Sequence, residues 1–469
     1  MRRSRVVLFW SIVFLFVAGR APAGVESCGS AEPFRAGDTV CFVGDSITHG
    51  GSYHSIVGLF YSTRFPDRPI RHYNCGIGGD RAAGIMSDEK YRLNVDILGH
   101  KPTVATIMLG MNDVGIRSYG PDKVGPQFDQ ARQSALNTYN ENMVRLIVAL
   151  EKRGARLILI TPSIYDDTLP PANAKSAVYV GGNAGLGKCA EKVKQWSAQY
   201  KAGLADFHGV MCAINEREQK KDPKFSVVGP ERVHPGAVGH FVMAYVFLKA
   251  QGMPRDVARI TVDAAAKAAQ PANCRIDDLK VNAAGLEFDC LEKALPLAVP
   301  DDAKAALKLV PFTQDFNQET LTVTGLGAGC YELKIDGKPV GDYSAAELAV
   351  GVNLAENVKT PQYQQAAAAT KLNAERFQTG AKLRGVAAMN YGMSRAKVNL
   401  ADRAAVEKHV RARIEAAKRA GQAADQRRLE TYLQLTAEPG KLEKDYEDLA
   451  AALVKACQPR PHHFAILKK

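Results

Sequence analysis

Four short segments carry residue types that could together transfer an acyl group. Ser46 ends the sequence VGDS, and a glycine block, NCGIGGD, occupies residues 74–80. The sequence GMND follows at residues 110–113, and ERVHP follows much later at residues 231–235. Each segment alone is unremarkable because these residue types are also common in turns. Their chemistry becomes specific only when the four are considered together.

Acyl transfer by a serine needs a base and a set of hydrogen-bond donors. The base removes the serine proton, and the donors stabilise the oxyanion of the tetrahedral intermediate. His234 could remove the proton from Ser46, and Glu231, three residues earlier, could orient the imidazole. The backbone N–H of Gly79 and the side-chain amide of Asn112 could be two of the donors.

Alternating strand-like and helix-like runs predict how these segments are positioned. Short runs rich in β-branched and apolar residues are candidate strands at 39–43, 70–73, 104–109 and 156–160. Longer helix-like runs are found at 55–65, 89–98, 137–152, 188–201 and 237–250. This alternation predicts a parallel sheet covered by helices on both faces. The first three reactive segments follow strands, and the carboxyl ends of parallel strands are where open α/β sheets bind ligands.

In order and spacing, the four segments resemble the SGNH (GDSL-like) hydrolase family over about residues 37–250. The resemblance implies a three-layer α/β/α, flavodoxin-like domain with serine esterase activity and no cofactor. It implies Ser46 as nucleophile, His234 as base, and the N–H groups of Ser46 and Gly79 with the Asn112 amide as oxyanion donors. One position departs from the family, which usually has aspartate where this chain has Glu231. Because glutamate is one methylene longer, the loop that carries it must adjust.

The chain continues well beyond the region of resemblance. We expect a catalytic domain at 24–254, a small β-rich module at 255–356 and a helical region at 357–469. Short alternating runs and turn signals indicate the β module. An apolar stripe at Val406, Val410 and Ile414, followed by a second apolar group at 429–435, predicts an amphipathic helical hairpin packed on another part of the molecule.

The N-terminus has the features of a cleaved signal peptide at residues 1–23. Three arginines in the first five residues precede an apolar run at 6–18 and the sequence APA at 21–23. The run is short for a membrane span, which needs about 20 residues. We therefore expect an exported protein, periplasmic or extracellular, whose mature chain begins near Gly24.

Composition limits the partners. The chain has 469 residues with 46% hydrophobic and 23% charged, which excludes disorder throughout. Removal of the predicted signal peptide lowers the net charge from +12 to about +8, too mild an excess to predict a nucleic-acid partner. Contact with a membrane surface is possible but not favoured. The nine cysteines form no metal-binding motif, so we expect no metal site, and Cys274 and Cys290 could form a disulfide across a hairpin.

The favoured function is hydrolysis of O-acetyl esters of a carbohydrate through an acyl-Ser46 intermediate. The reactive segments lie on glycine-rich loops without a long apolar lid, which suits a small acyl group on a bulky, polar alcohol. Two alternatives stay open. A lipolytic esterase or lysophospholipase would use the same residues, and a glycan-binding protein weakened at Glu231 would have lost turnover.

Overall fold

A computed structural model describes residues 28–170 and 178–469. The predicted signal peptide at 1–23 lies outside the described residues. Within them, no helix is long and apolar enough to cross a lipid bilayer.

The first domain is built on a sheet of five parallel strands in the order β2-β1-β3-β4-β5. The strands are β1 Thr39–Gly44, β2 Arg71–Gly76, β3 Val104–Met108, β4 Arg156–Ile160 and β5 Gly203–Ala205. Every residue of β1 and β3 is buried, as expected of central strands with helices on both faces. This strand order is that of the flavodoxin-like fold, so the predicted fold class is confirmed.

Seven helices belong to this domain. They are α1 Ser46–Gly50, α2 Tyr53–Arg64, α3 Ala82–Ser87, α4 Pro126–Glu151, α5 Gly182–Gln199, α6 Phe207–Gln219 and α7 Ala237–Ala250. The helix predicted at 89–98 is wrong. That segment holds one π-helical turn, Glu89–Leu93, and a short 3₁₀ turn, Leu98–His100. Its Arg92 points inward and is fully buried, where it donates to the carboxylates of Asp80 and Asp96.

The β module consists of two sheets that share one hydrophobic core. Its strands are β6 Asp256–Asp263, β7 Ala268–Ala269, β8 Cys274–Asn282, β9 Gly285–Glu292, β10 Gln318–Thr324, β11 Cys330–Ile335, β12 Lys338–Ser344, β13 Val352–Asn353 and β14 Pro461–Lys468. The smaller sheet has the order β13-β10-β6-β7 and the larger sheet β12-β11-β14-β9-β8. Two short helices, α8 Phe312–Phe316 and α9 Ala345–Val350, lie between the strands in sequence.

The last strand, β14, was not foreseen, because the sequence analysis treated all of 357–469 as helical. β14 pairs antiparallel with β9 on one side and with β11 on the other. Phe464 and Ile466 alternate inward into the module's core, where Phe464 stacks on Phe288 with the ring centroids 5.1 Å apart. The module is therefore discontinuous in sequence.

Four helices lie between β13 and β14. They are α10 Pro361–Arg395, α11 Arg403–Arg419, α12 Ala423–Leu435 and α13 Lys441–Ala456. The predicted hairpin is present as α11 and α12, which pack through Val410, Ile414 and Leu429. The other two helices contribute Ala369 and Leu453 to the main core of the first domain. Helices α10 and α13 are thus packed against the first domain.

The predicted Cys274–Cys290 disulfide is absent from this structure, in which all nine cysteines are free thiols. The β8–β9 register explains the difference. Cys274 lies opposite Glu292 and Cys290 lies opposite Ile276, so the two thiols are diagonal neighbours and not a directly opposed pair.

Candidate active site

Ser46 lies at a tight turn where the central strand β1 passes into helix α1. Asp45 caps the helix by accepting a hydrogen bond from the N–H of Ile47 at 2.9 Å. Glycine is required at position 44, because a Cβ there would lie 2.2 Å from Oγ1 of Thr48. Burial raises the pKa of the Asp45 carboxyl to about 7. The turn therefore holds the serine at the carboxyl end of β1.

His234 lies beside the serine, although 188 residues separate them in sequence. Its Nε2 is 2.9 Å from Oγ of Ser46, and its Nδ1 is 3.2 Å from Oε2 of Glu231. The His234 and Glu231 side chains are 47% and 59% exposed, so this pair meets in a solvated part of the site. The structure thus brings together the predicted nucleophile, base and acid.

Arg232 fixes the backbone of the loop between the acid and the histidine. Its side chain is fully buried, and its guanidinium donates to the carbonyl oxygens of Asp166 and Leu169, both at 2.7 Å. The carbonyl of Arg232 accepts from the Asp166 N–H at 2.9 Å. Its φ of +65° is unusual for a residue with a side chain, and these contacts hold it there. Sequence reasoning missed Arg232 because a lone arginine in a loop shows no pattern.

The glycine block lies against the nucleophile. A Cβ on Gly78 would lie 4.0 Å from the Ser46 Cβ, and Gly79 has a φ of +76°. The Gly78 N–H donates to Nδ1 of His49 at 3.0 Å. The Gly79 N–H has no acceptor within the described residues. The Gly79 N–H is therefore open to a ligand, and its role as an oxyanion donor stays a prediction.

Asn112 is tied to the same loop. Its Nδ2 donates at 3.1 Å to the carbonyl of Asp80, the last residue of the glycine block. A primary amide carries two N–H donors, so this bond orients the group and leaves the second donor for a ligand. The neighbouring Asp113 carboxylate accepts from the Ala82 N–H at 2.9 Å, which further joins the two loops.

His49 contacts the glycine block through the Gly78 N–H. Burial, helped by the positive charges of Arg384 and Arg92, lowers the pKa of His49 to about 4, so the ring is neutral at working pH. Because Nδ1 accepts from Gly78, Nε2 carries the proton and can donate. His240, by contrast, is buried and stacks on Tyr53, so its role is in packing.

The described residues contain no cluster of three or more histidine, cysteine, aspartate or glutamate side chains that could hold a metal ion. His462 and His463, adjacent near the C-terminus, each pair with a separate aspartate, Asp336 and Asp289, at 2.7 Å.

Comparisons with known proteins agree with this arrangement. The model of the GDSL-like Lipase/Acylhydrolase family matches residues 42–241, which include all four reactive segments. A solved structure described as a gut microbial diltiazem-metabolizing enzyme is 32% identical, with 94% of this chain and 100% of that chain aligned at a TM-score of 0.83. The chain belongs to the GDSL-like lipase/acylhydrolase family. As a member, this GDSL-like hydrolase is an enzyme that acts on carboxylic esters.

One curated relative is an acetylxylan esterase from Geobacillus stearothermophilus. It is 26% identical over 233 residues, which cover 46% of this GDSL-like hydrolase and 95% of the relative. A crystal structure of a catalytic mutant of that esterase aligns with 47% of this chain and 96% of its own, at 24% identity and a TM-score of 0.36.

Proposed function

We propose that this hydrolase is a serine esterase that removes O-acetyl groups from carbohydrate, with Ser46 as nucleophile and His234 as general base. The observation that carries the proposal is the 2.9 Å contact between Ser46 Oγ and His234 Nε2 at the carboxyl edge of the sheet. Nucleophile–base contact at this distance is what proton transfer needs.

The reaction proceeds in two halves. Ser46 Oγ bonds to the acyl carbon while its proton moves to Nε2 of His234. That proton then passes to the alcohol oxygen as the carbon–oxygen bond of the ester breaks. Water repeats the sequence on the acyl-serine: its proton moves to His234 and then to Ser46 Oγ as the acid leaves.

Two groups of residues stabilise the charges that develop. Glu231 accepts a hydrogen bond from the Nδ1–H of His234 and stabilises the imidazolium form. The N–H groups of Ser46 and Gly79, with the Asn112 amide, donate to the oxyanion. Loss of one such donor typically costs about 10²- to 10³-fold in rate, so the positions of these groups affect the rate strongly.

Sequence similarity to an acetylxylan esterase and the exposure of His234 and Glu231 support an acetylated carbohydrate as the substrate. The acetylxylan esterase aligns over 95% of its own length with the first domain of this chain. His234 and Glu231 are about half exposed, which leaves room for a bulky alcohol at this side of the site. Because a 32% identical protein is described as a diltiazem-metabolizing enzyme, we also test diltiazem as a substrate.

Export through the signal peptide at 1–23 is also part of the proposal. The arginines, apolar run and APA sequence support it. N-terminal sequencing of protein recovered outside the cytoplasm should find Gly24 or a close neighbour as the first residue. An intact N-terminus on fully active cellular protein would contradict export by cleavage.

The central experiment measures acetate released from p-nitrophenyl acetate, acetylated xylan and diltiazem. We expect Ser46→Ala to lower kcat by at least about 10⁴-fold, as in other serine hydrolases. Ser87→Ala, which removes an exposed hydroxyl bonded only to the Gly84 carbonyl, is the matched control and should leave the rate unchanged.

The outcomes separate the candidate functions. Faster turnover of p-nitrophenyl octanoate than of the acetate, with binding to anionic liposomes, would replace the carbohydrate esterase by a lipolytic one. Equal rates for wild type and Ser46→Ala, with xylan still bound, would identify a glycan-binding protein without turnover.

A further inference from the structure

Helix α10 passes behind the loops that carry the proposed oxyanion donors. Near the middle of the helix, Arg384 is almost fully buried and contacts two separate segments of the first domain. It donates to the Asn74 carbonyl at 2.8 Å and to Oδ1 of Asp96 at 2.5 Å. Both contacts span about 300 residues of sequence, so only the folded chain brings them together.

The first contact leads toward the nucleophile. The Asn74 side chain donates to the carbonyl oxygens of Thr48 and His49, both at 2.9 Å, and accepts from the Gly76 N–H at 2.9 Å. Asn74 therefore joins helix α1, which begins with Ser46, to the strand end that opens the glycine block. Arg384 holds Asn74 at its backbone carbonyl.

The second contact leads toward the oxyanion donors. Asp96 accepts from Nη1 of Arg92 at 2.5 Å, and Nε of Arg92 donates to Oδ2 of Asp80 at 2.8 Å. Arg92 also donates to the Cys75 carbonyl at 2.6 Å. The Asp80 carbonyl in turn accepts from the Asn112 amide. An unbroken series of contacts thus runs from α10 to a proposed oxyanion donor.

These four charged groups balance one another in the interior. The side chains of Arg92, Arg384, Asp80 and Asp96 are each at most 4% exposed, and two positive charges meet two negative ones. Removing Arg384 would leave one uncompensated carboxylate charge next to the loops. A buried charge that loses its partner draws neighbouring groups or water toward itself, so the loops would move.

The docking of α10 on the domain does not itself require Arg384. Two turns earlier, Arg376 is equally buried and bonds to Nε2 of His72 at 2.5 Å and to the Tyr446 hydroxyl at 3.1 Å. Asn373 bonds to the hydroxyl of Ser55 at 3.0 Å. None of these contacts reaches the glycine block or Asn112. Anchoring the helix and holding the loops are therefore done by different residues.

We propose that Arg384 is a positioning residue for ester hydrolysis: it sets the oxyanion donors through Asn74 and through Asp96, Arg92 and Asp80. The proposal rests on the proposed roles of Gly79 and Asn112. It assigns the C-terminal helical region a part in catalysis, although that region supplies no reacting group.

The test compares Arg384→Met with Arg376→Met in the full chain. With p-nitrophenyl acetate, we expect Arg384→Met to lower kcat by about 10- to 100-fold, below the cost of deleting a donor outright, with KM within about 2-fold. Arg376→Met should keep kcat near the wild-type value even where it lowers Tm as much. Equal effects of the two variants on both kcat and Tm would reduce Arg384 to an anchor and overturn the proposal.

Methylboronic acid gives a readout that simple loss of stability would not change. Its boron bonds to the serine oxygen and becomes tetrahedral, so one oxygen occupies the oxyanion position. Its inhibition constant should rise in Arg384→Met by the same factor by which kcat/KM falls, and should not rise in Arg376→Met. An unchanged constant in Arg384→Met would overturn the proposal.

Arg384→Lys keeps the inference testable if the methionine variant does not fold. An ammonium can pair with Asp96 but cannot reach the Asn74 carbonyl in the same fixed geometry. We expect a folded enzyme with reduced kcat, and wild-type kcat would contradict the proposal. Failure of the proposed function itself would be seen separately, as full activity in Ser46→Ala.

Discussion

Replacing Glu231 by aspartate, the residue usual in the family, should lower activity. In the structure Oε2 of Glu231 is 3.2 Å from Nδ1 of His234. Aspartate is shorter by one carbon–carbon bond, about 1.5 Å. The backbone cannot follow, because Arg232 is fixed on the Asp166 and Leu169 carbonyls. The new distance of about 4.5 to 5 Å is too long for a hydrogen bond.

The size of the effect follows from the exposure of the pair. We take an effective dielectric constant between 20 and 80. Lengthening the charge separation from 3.2 Å to about 4.7 Å then weakens the electrostatic stabilisation of protonated His234 by about 0.4 to 1.7 kcal/mol. Loss of the hydrogen bond adds to this, although exposed pairs contribute little. We expect about 1 to 2 kcal/mol, or about a 5- to 30-fold fall in kcat/KM.

The assay is kcat/KM on p-nitrophenyl acetate for Glu231→Asp and Glu231→Ala. Both variants should fall, and the alanine variant should fall further, because it removes the negative charge as well as the hydrogen bond. Glu216→Asp is the control, since Glu216 forms an exposed ion pair with Lys220 on α6, and it should be neutral. An aspartate variant as active as wild type would mean that Arg232 does not fix the loop. A fall of about 10⁴-fold in kcat/KM for Glu231→Ala would show that the interaction of Glu231 with His234 stays strong although both side chains are exposed.

Two further predictions concern stability. Burial raises the pKa of Glu292 to about 8 and that of Glu319 well above its usual range. The stability that Glu292 contributes is therefore complete below about pH 4.5 and is lost as pH rises through about 8, and that of Glu319 is likewise lost as pH rises. Glu319→Gln should therefore lose less unfolding free energy between pH 5 and pH 8 than wild type, as measured by urea denaturation, and an identical pH dependence would refute this. Gly76→Ala should cost about 1 to 3 kcal/mol and much of the activity, because its Cβ would lie 2.4 Å from the backbone N of His49. Gly392→Ala, with open space around the new Cβ, should lose neither stability nor activity, and thermal melts with kcat check both.

Much of the first domain could be predicted because its signals are local. Short runs rich in β-branched and apolar residues identified four of the five strands, and α7 was predicted with its observed bounds, Ala237–Ala250. Strand β5 has only three residues, too few to show a pattern. The segment 89–98 has helical spacing, but it forms a π-turn at Glu89–Leu93, in which Arg92 makes two buried ion pairs.

The motif residues of the site could be predicted, whereas the residues that hold them could not. Ser46, His234 and Glu231 were expected from the motifs, and the structure places them in contact, while their catalytic roles remain predictions. Arg232 and Arg384 act through carbonyl oxygens and a carboxylate brought near by folding. Such contacts leave no periodic signal in the sequence.

The position of β14 delays the completion of the β module until long after its other strands have been synthesised. The strands on either side of it, β9 and β11, are made more than 125 residues earlier and must wait for residues 461–468. Until then, each presents an unpaired edge, a known starting point for aggregation. A chain that stopped within the preceding helices would therefore not be a smaller working esterase but a substrate for chaperones and proteases.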